Sequence, residues 1–312
     1  MVNQYDVITF GSATWDIYLS PEKMDIISSS NFVSGKAVAF NLGSKINLKE
    51  TQFNIGGGGV NSAFTFKKQG FKVAYMGSVG NDILGNEIIS CLKKNKIETK
   101  LIQKTEKAST NCSIVFNHKG QDRTILNYRG ASEHFTKDSF PKAKWYYLAP
   151  LSGKISKLTQ KIIDYAVDEK IKIAFNPGNS QLNLPRKTLM KVIEKADVLL
   201  LNQEEAAILT KNEFKEEKKI IEDLKKINKG IVVMTKGDLG VVVIDENNKV
   251  IVKKIKPVRA VDKTGAGDAF GSAFVSGLIK YNNIDKAINL GLKNSASCVK
   301  KQGATNGLLK VK

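Results

Sequence analysis

Asp268 closes a run, Val261-Asp-Lys-Thr-Gly-Ala-Gly-Asp268, whose residue types suit phosphate chemistry. Thr264-Gly265-Ala266-Gly267 stands directly before an apolar stretch of helical spacing whose first residue falls near Asp268. The first N–H groups of a helix have no partner within it, and the helix dipole adds partial positive charge there. Small residues at that point let phosphate oxygens reach the N–H groups. A carboxylate beside such an anion hole can take the proton of an attacking hydroxyl. The same four residues can also form a plain turn with Asp268 as a helix cap, and the tetrapeptide alone leaves both readings open. It is not a Walker A loop, which needs a following Gly-Lys-Ser/Thr. Nor is it a dinucleotide fingerprint, which belongs after an early strand.

Other residues could share that chemistry. Gly56-Gly57-Gly58-Gly59-Val60-Asn61 precedes a helical pattern roughly 200 residues earlier. Asn202-Gln-Glu-Glu205 follows a strand pattern and opens a helix, with the spacing of a capping box. Asp16 follows the first strand, where it could bind a ligand or simply make a turn. His118, in a turn, and His134, in a polar stretch, lie near no Ser/Asp or Cys pattern, so both are expected at the surface without a catalytic role.

These residues need a scaffold. Tyr5–Gly11, Lys72–Gly77, Trp145–Leu148, Ile171–Asn176, Val198–Leu201 and Ile231–Thr235 read as strands. Helical patterns over 60–70, 85–95, 154–169, 186–195, 203–209, 216–227, 268–280 and 284–300 alternate with them, and a hairpin is expected over 241–245 and 250–255. Strand–helix alternation implies an α/β fold, with a mostly parallel sheet covered on both faces. Segments at about 12–53 and 109–128 do not fit that core. They have antiparallel character and are expected to form a small β-sheet lid on a single domain covering residues 1–312.

Composition bounds the alternatives. The 312 residues are 42 % hydrophobic and 25 % charged, as in an ordinary globular protein. Cys91, Cys112 and Cys298 are scattered, with no CxxC or zinc-like spacing, which suits a reducing cytoplasm. No signal-peptide pattern opens the sequence, and the apolar runs are too short to span a bilayer. The net charge of +19 comes almost wholly from lysine; the arginines are Arg123, Arg129, Arg186 and Arg259. Many lysines alternate with Glu and Asp on helical faces, which describes a solvated surface rather than a nucleic-acid site. The positive field should still attract anionic ligands.

The string VDKTGAGDAF resembles the C-terminal signature of the ribokinase (PfkB) family of sugar and nucleoside kinases. The early glycine run, followed by Gly77-Ser-Val-Gly80-Asn-Asp82-Ile-Leu-Gly85, resembles its N-terminal signature, and the likeness reaches Gly303-Ala304. It implies a ribokinase-like three-layer sandwich with a lid, and transfer of the γ-phosphoryl group of ATP to a hydroxyl of a sugar. A nucleoside kinase of the same family is the alternative, and a non-catalytic ligand-binding regulator a remoter one. By the resemblance Asp268 is the general base, and Gly265, Ala266 and Gly267 form the anion hole. Asp16, Gly57, Gly58 and Asn61 hold the acceptor. Gly58 replaces a Lys found in many ribokinase-like sugar kinases, which makes ribose itself less secure. Arg129-Gly130-Ala131 lies where relatives contact substrate, and Trp15 could stack on a ligand or pack in the lid. Asn202, Thr235, Gly237 and Gly240 fall in the nucleotide segments. Glu205 organises Mg²⁺, through water rather than directly. Asp262, Thr264 and Gly303 match a loop that often binds K⁺. Lys263 stands where a small hydroxyl residue is usual and is expected to point to solvent. The implied partners are a small sugar or nucleoside and, because lid strands leave exposed edges, a second copy joined through the lid. Neither nucleic acid nor membrane is expected.

Overall fold

Runs of Val, Ile, Leu and Tyr bounded by glycine and polar turns form an eight-stranded sheet in the computed structural model, which describes residues 5–32, 35–116 and 124–311. From one edge its strands are Val250–Lys253, Val241–Ile244, Ile231–Thr235, Val198–Asn202, Lys172–Phe175, Ala143–Leu148, Tyr5–Phe10 and Val73–Met76. Every pairing from Ile231–Thr235 to Val73–Met76 is parallel; the last two strands form the expected antiparallel hairpin.

Alternation along the strands builds two cores. Ile8, Phe10, Tyr146, Leu148, Leu199 and Leu201 face one layer of helices. Val7, Tyr147, Val198 and Leu200 face the other. Side chains on a strand point alternately to its two faces, so each strand serves both layers. Each fully buried Leu, Ile or Phe contributes roughly 1.5–3 kcal/mol relative to exposure. The helices Gly58–Lys68, Ile83–Lys94, Ala266–Tyr281 and Ile284–Cys298 supply residues to the second core, among them Phe66, Leu92, Phe274 and Ile288.

The lid is a four-stranded sheet in the order Thr124–Tyr128, Asn111–Phe116, Thr14–Pro21, Leu48–Gly56, beside a two-stranded ribbon of Asp25–Ser28 and Lys36–Ala39. One expectation is corrected: Thr14–Pro21 and Asn111–Phe116 pair in parallel, because each enters the lid from the same edge of the core. The hairpin turn containing His118 lies outside the described residues. The helix expected over 154–169 is interrupted, forming Lys154–Lys157 and Thr159–Asp168; Thr159 Oγ1 donates to the Ser156 carbonyl at 2.6 Å across the junction. Such side-chain bonds compete with the helical ladder. The last-but-one helix begins at Ala266, so Asp268 lies within its first turn rather than at its start. Among the described residues no helix is long and apolar enough to cross a membrane.

Candidate active site

Two glycine segments far apart in sequence open neighbouring helices. The lid strand Leu48–Gly56 runs into Gly57, which caps the Gly58–Lys68 helix at φ 92°. A Cβ on Gly57 would lie 2.4 Å from the Ser12 carbonyl oxygen, so no other residue fits without movement. Gly265, at φ 73°, caps the Ala266–Tyr281 helix, and a Cβ there would lie 2.4 Å from Ala304 Cβ. Between the two helix starts Asn61 Nδ2 donates to Asp268 Oδ2 at 2.8 Å. Asn61 Oδ1 is buried and accepts no hydrogen bond from the protein.

Asp268 is half-buried and lines the cleft. Its burial pushes the carboxyl pKa up, and the hydrogen bond from Asn61 offsets part of that rise. A carboxylate held this way is a stronger base than a solvated one. Gly58 keeps the approach open, since a Cβ there would stand 3.4 Å from Asp268 Oδ1. Nothing lies within 4 Å of a Cβ built on Gly267, so that glycine presents bare backbone to the cleft.

Across the cleft Asn202 and Glu205 make the capping box read from the sequence. Asn202 Oδ1 accepts from the Glu205 N–H, and Glu205 Oε2 from the Asn202 N–H, both at 2.8 Å. Both side chains also line the cleft. Burial raises the Glu205 pKa, the Asn202 N–H opposes that, and the charges of Asp268 and Glu204 add to it. Among the described residues no cluster of three or more His, Cys, Asp or Glu could hold a metal unaided.

Three recesses run together. A cleft of about 280 Å³ holds Thr235, Asn202, Glu205, Gly265, Ala266, Gly267 and Asp268. It shares Pro150 and Glu205 with a polar pocket of about 290 Å³ under the lid, where Thr14, Asn111 and Arg129 face Ser152 and Ser180. It shares Lys263 and Ala266 with a smaller, more apolar recess of about 160 Å³, walled by Ile255, Pro257, Val258 and Val299. The result is one trough along the carboxyl edge of the sheet, where open α/β sheets place ligands.

Asp16 sits on the lid strand with Thr14 and Tyr18 on the same buried face. A Cβ on Gly56 would collide with its Oδ2, so the glycine makes room for the carboxylate. Burial drives the Asp16 pKa up to about 6, with a Ser113 hydrogen bond opposing and the charge of Asp262 adding to the rise. Asp262 differs. Burial acts to raise its pKa, but hydrogen bonds from Thr264 Oγ1, Gly303 N–H and Thr264 N–H, at 2.6, 2.9 and 2.8 Å, hold it below the usual range. This clasp ties the loop before the Ala266–Tyr281 helix to the C-terminal loop, which Asn306 joins to lid residue Asn54 through a 3.0 Å bond.

The chain matches the pfkB family of carbohydrate kinases over residues 22–311. It belongs to that family. It is similar to a ribokinase of Haemophilus influenzae, 26 % identical over 279 residues, covering 85 % of this chain and 88 % of the relative. It is also similar to a nucleoside kinase of Methanocaldococcus jannaschii, 23 % identical, covering 85 % of each chain. The structure of an Arabidopsis thaliana ribokinase complexed with ribose and ATP superposes with a TM-score of 0.81 at 20 % identity, covering 98 % of this chain and 96 % of the other. The chain is therefore a phosphotransferase with a hydroxyl acceptor, built on a ribokinase-like three-layer sandwich.

Not every expected residue meets in the trough of this kinase. Asp268, Gly265, Ala266, Gly267, Asn202, Glu205 and Thr235 line the central cleft, and Gly237 the apolar recess. Asp16, Gly57, Gly58, Asn61 and Gly240 line none of these three recesses; at Gly240 a φ of 100° and a Cβ position 2.1 Å from the Lys253 carbonyl oxygen both call for glycine. Trp15 packs against Phe53 in the lid, with ring centroids 6.5 Å apart. Lys263 is exposed, as expected, with its ammonium 3.7 Å from Asp238. His134 is half-buried and offers its backbone carbonyl to Gln103. Sequence reasoning missed Asn111, Asn127, Ser152, Asn179 and Ser180 in the lid pocket. The last three follow the strands Ala143–Leu148 and Lys172–Phe175. Their place just beyond carboxyl ends of parallel strands was the available signal.

Proposed function

We propose that this kinase transfers the γ-phosphoryl group of ATP to a hydroxyl of a small sugar held under the lid, with Asp268 as general base. The continuous trough carries the reading: an apolar recess for the base of ATP, a glycine-lined cleft for its phosphates, and a polar pocket for the acceptor. Asp16, Gly57, Gly58 and Asn61 hold acceptor hydroxyls. Asn61 is tied to the proposed base by the 2.8 Å bond from its Nδ2 to Asp268 Oδ2, which puts it beside the reacting hydroxyl. Asp268 accepts the proton of the attacking hydroxyl as the new oxygen–phosphorus bond forms and the bond to the β-phosphate oxygen breaks. The N–H groups of Gly265, Ala266 and Gly267 carry charge on the transferring group.

Asn202, Thr235 and Gly237 position the nucleotide. Glu205 fits a water-mediated Mg²⁺ contact, since a cleft that offers few carboxylates suits an ion that keeps most of its waters. When bound, the ion neutralises phosphate charge. We assign K⁺ to Asp262, Thr264 and Gly303, where the buried Asp262 carboxylate joins two loops whose oxygens suit a hard cation. Leu48, Phe53, Leu126 and Tyr128 are exposed apolar residues on the lid, and we assign that surface to a homodimer. We assign the protein to the cytoplasm, a reducing compartment that suits its three free cysteines.

The test is ADP release from ATP·Mg²⁺ across sugars, sugar acids, sugar phosphates and nucleosides, with wild type and Asp268→Asn. Turnover with one acceptor class, reduced at least 100-fold in Asp268→Asn at unchanged melting temperature, is expected. An Asp268→Asn variant with wild-type kcat would remove Asp268 from the mechanism. Turnover confined to nucleosides would replace the sugar.

A further inference from the structure

Arginine is scarce in this chain, with Arg123, Arg129, Arg186 and Arg259 the only four among 49 basic residues. A guanidinium offers a planar pair of donors that an ammonium does not. Arg186 is engaged within the fold, donating from Nη1 to the Leu209 carbonyl at 2.7 Å. Arg129 lines the pocket under the lid and is its only cation among the described residues.

The setting of Arg129 is built. It immediately precedes the short 3₁₀ turn Gly130–His134, whose first residues are buried. Ser78 Oγ donates to the Ala131 carbonyl at 2.8 Å, and the Ala131 N–H to the Ser109 carbonyl at 2.9 Å. Asn111 bonds Ser132 twice, donating from Nδ2 to Oγ at 2.6 Å and accepting from the N–H at 3.2 Å. The backbone that follows Arg129 is thus fixed by hydrogen bonds to two other segments. The guanidinium itself is exposed and reaches Ser180 Oγ only at 3.5 Å. Among the described residues no carboxylate pairs with it. The one carboxylate of the pocket, Glu205, is shared with the phosphate cleft, where its Oε2 is engaged by the Asn202 N–H.

We infer that Arg129 is a specificity residue, and that the physiological acceptor is a sugar bearing an oxyanion, a carboxylate or a phosphate, at the end away from the reacting hydroxyl. Its guanidinium receives the oxyanion by two parallel hydrogen bonds, with Ser180 and Asn127 alongside. The inference rests on the proposed acceptor role of the lid pocket. It narrows that role from any polyol to an anionic one.

Calorimetric titration of wild type, Arg129→Ala and Arg129→Lys with matched compounds tests it. The set is a hexose, its hexonate, its 6-phosphate, a nucleoside and the nucleoside 5′-monophosphate, with ADP formation followed in the same samples after ATP·Mg²⁺ is added. An anionic member binds at least tenfold more tightly than its neutral counterpart. Arg129→Ala removes that preference by raising Kd and KM with little change in kcat, and Arg129→Lys restores part of it. Hexonate against hexose 6-phosphate identifies the oxyanion. The inference is overturned if the tightest ligand is neutral, if no anionic member binds, or if Arg129→Ala weakens anionic and neutral members equally. Arg129-dependent binding of an anion without any ADP formed would leave the inference standing and overturn the kinase role of this pocket instead.

Discussion

Replacing Asp16 with asparagine should make the free protein more stable while harming its function. The carboxyl is buried under Gly56, and its pKa stands at about 6 against 3.8 for a solvated aspartate. The folded state therefore holds this proton more tightly than the unfolded state between those values. Stability from this group is fully present below pH 3.8 and is lost as pH rises through 6. The shift of about 2 pKa units corresponds to roughly 3 kcal/mol at pH 8, at ~1.4 kcal/mol per unit. Asparagine keeps the shape and cannot ionise, so the variant recovers most of that amount. At roughly 2 °C per kcal/mol, suitable for a chain this long, the melting temperature should rise by about 6 °C at pH 8. Near pH 4 the two proteins should melt together.

Thermal unfolding of both proteins in the absence of ligand, from pH 4 to 8, isolates the effect, because other titrating groups cancel in the difference. A difference that stays flat across this range, or an Asp16→Asn protein less stable at pH 8, refutes the reasoning. The proposed role gives the opposite sign on binding. An acceptor hydroxyl donates to the ionised carboxylate, so acceptor affinity in wild type should increase as pH rises through about 6. Asp16→Asn should lose both the affinity and its pH dependence.

Three further outcomes follow from the geometry. Gly267→Ala adds a methyl to open cleft, so it should change stability by less than about 0.5 kcal/mol yet lower kcat roughly 10²–10³-fold. Gly265→Ala, at φ 73° and 2.4 Å from Ala304 Cβ, should instead destabilise by roughly 1–3 kcal/mol, and equal melting temperatures for the two variants would contradict the assignment. Light scattering should find a dimer that Phe53→Asp together with Leu126→Asp converts to monomer; a monomeric wild type removes the lid interface. Exchanging K⁺ for a large organic cation at constant ionic strength should lower kcat, and an unchanged rate would exclude Asp262, Thr264 and Gly303 as an activating site.

The layered sheet was legible because its strands are short apolar runs separated by strongly periodic helices, and the Ile231–Thr235 strand was placed to the residue. The lid was harder. Its strands carry mixed polar residues on a half-buried surface, and Leu48–Gly56 has little alternation to read. Strand partners are set by tertiary entry points that local sequence does not contain, which is why the parallel Thr14–Pro21 pairing was missed. At the site, Asn202 and Glu205 were legible as a capping box and also line the cleft. Gly240, read from the sequence as a nucleotide contact, also stands where a Cβ would strike the Lys253 carbonyl, a packing demand that the sequence does not display. Asn111 and Asn127 left no local signal, since an asparagine in a lid strand reads the same whether it faces solvent or a pocket.

The arrangement separates chemistry from choice of acceptor. Asp268, Asn61 and the bare backbone of Gly267 sit at the starts of two adjoining helices that are packed into the core. The two helix starts are held by contacts at Gly57 and Gly265 that admit no side chain. Asn111, Asn127 and Arg129 stand on the lid and its base instead, where a changed side chain alters the pocket without disturbing either hydrophobic core. Substitutions at Arg129 should then redirect acceptor choice at nearly constant stability. Substitutions at Gly57 or Gly265, whose Cβ atoms would meet backbone or core within 2.4 Å, should disturb the fold before they alter selectivity.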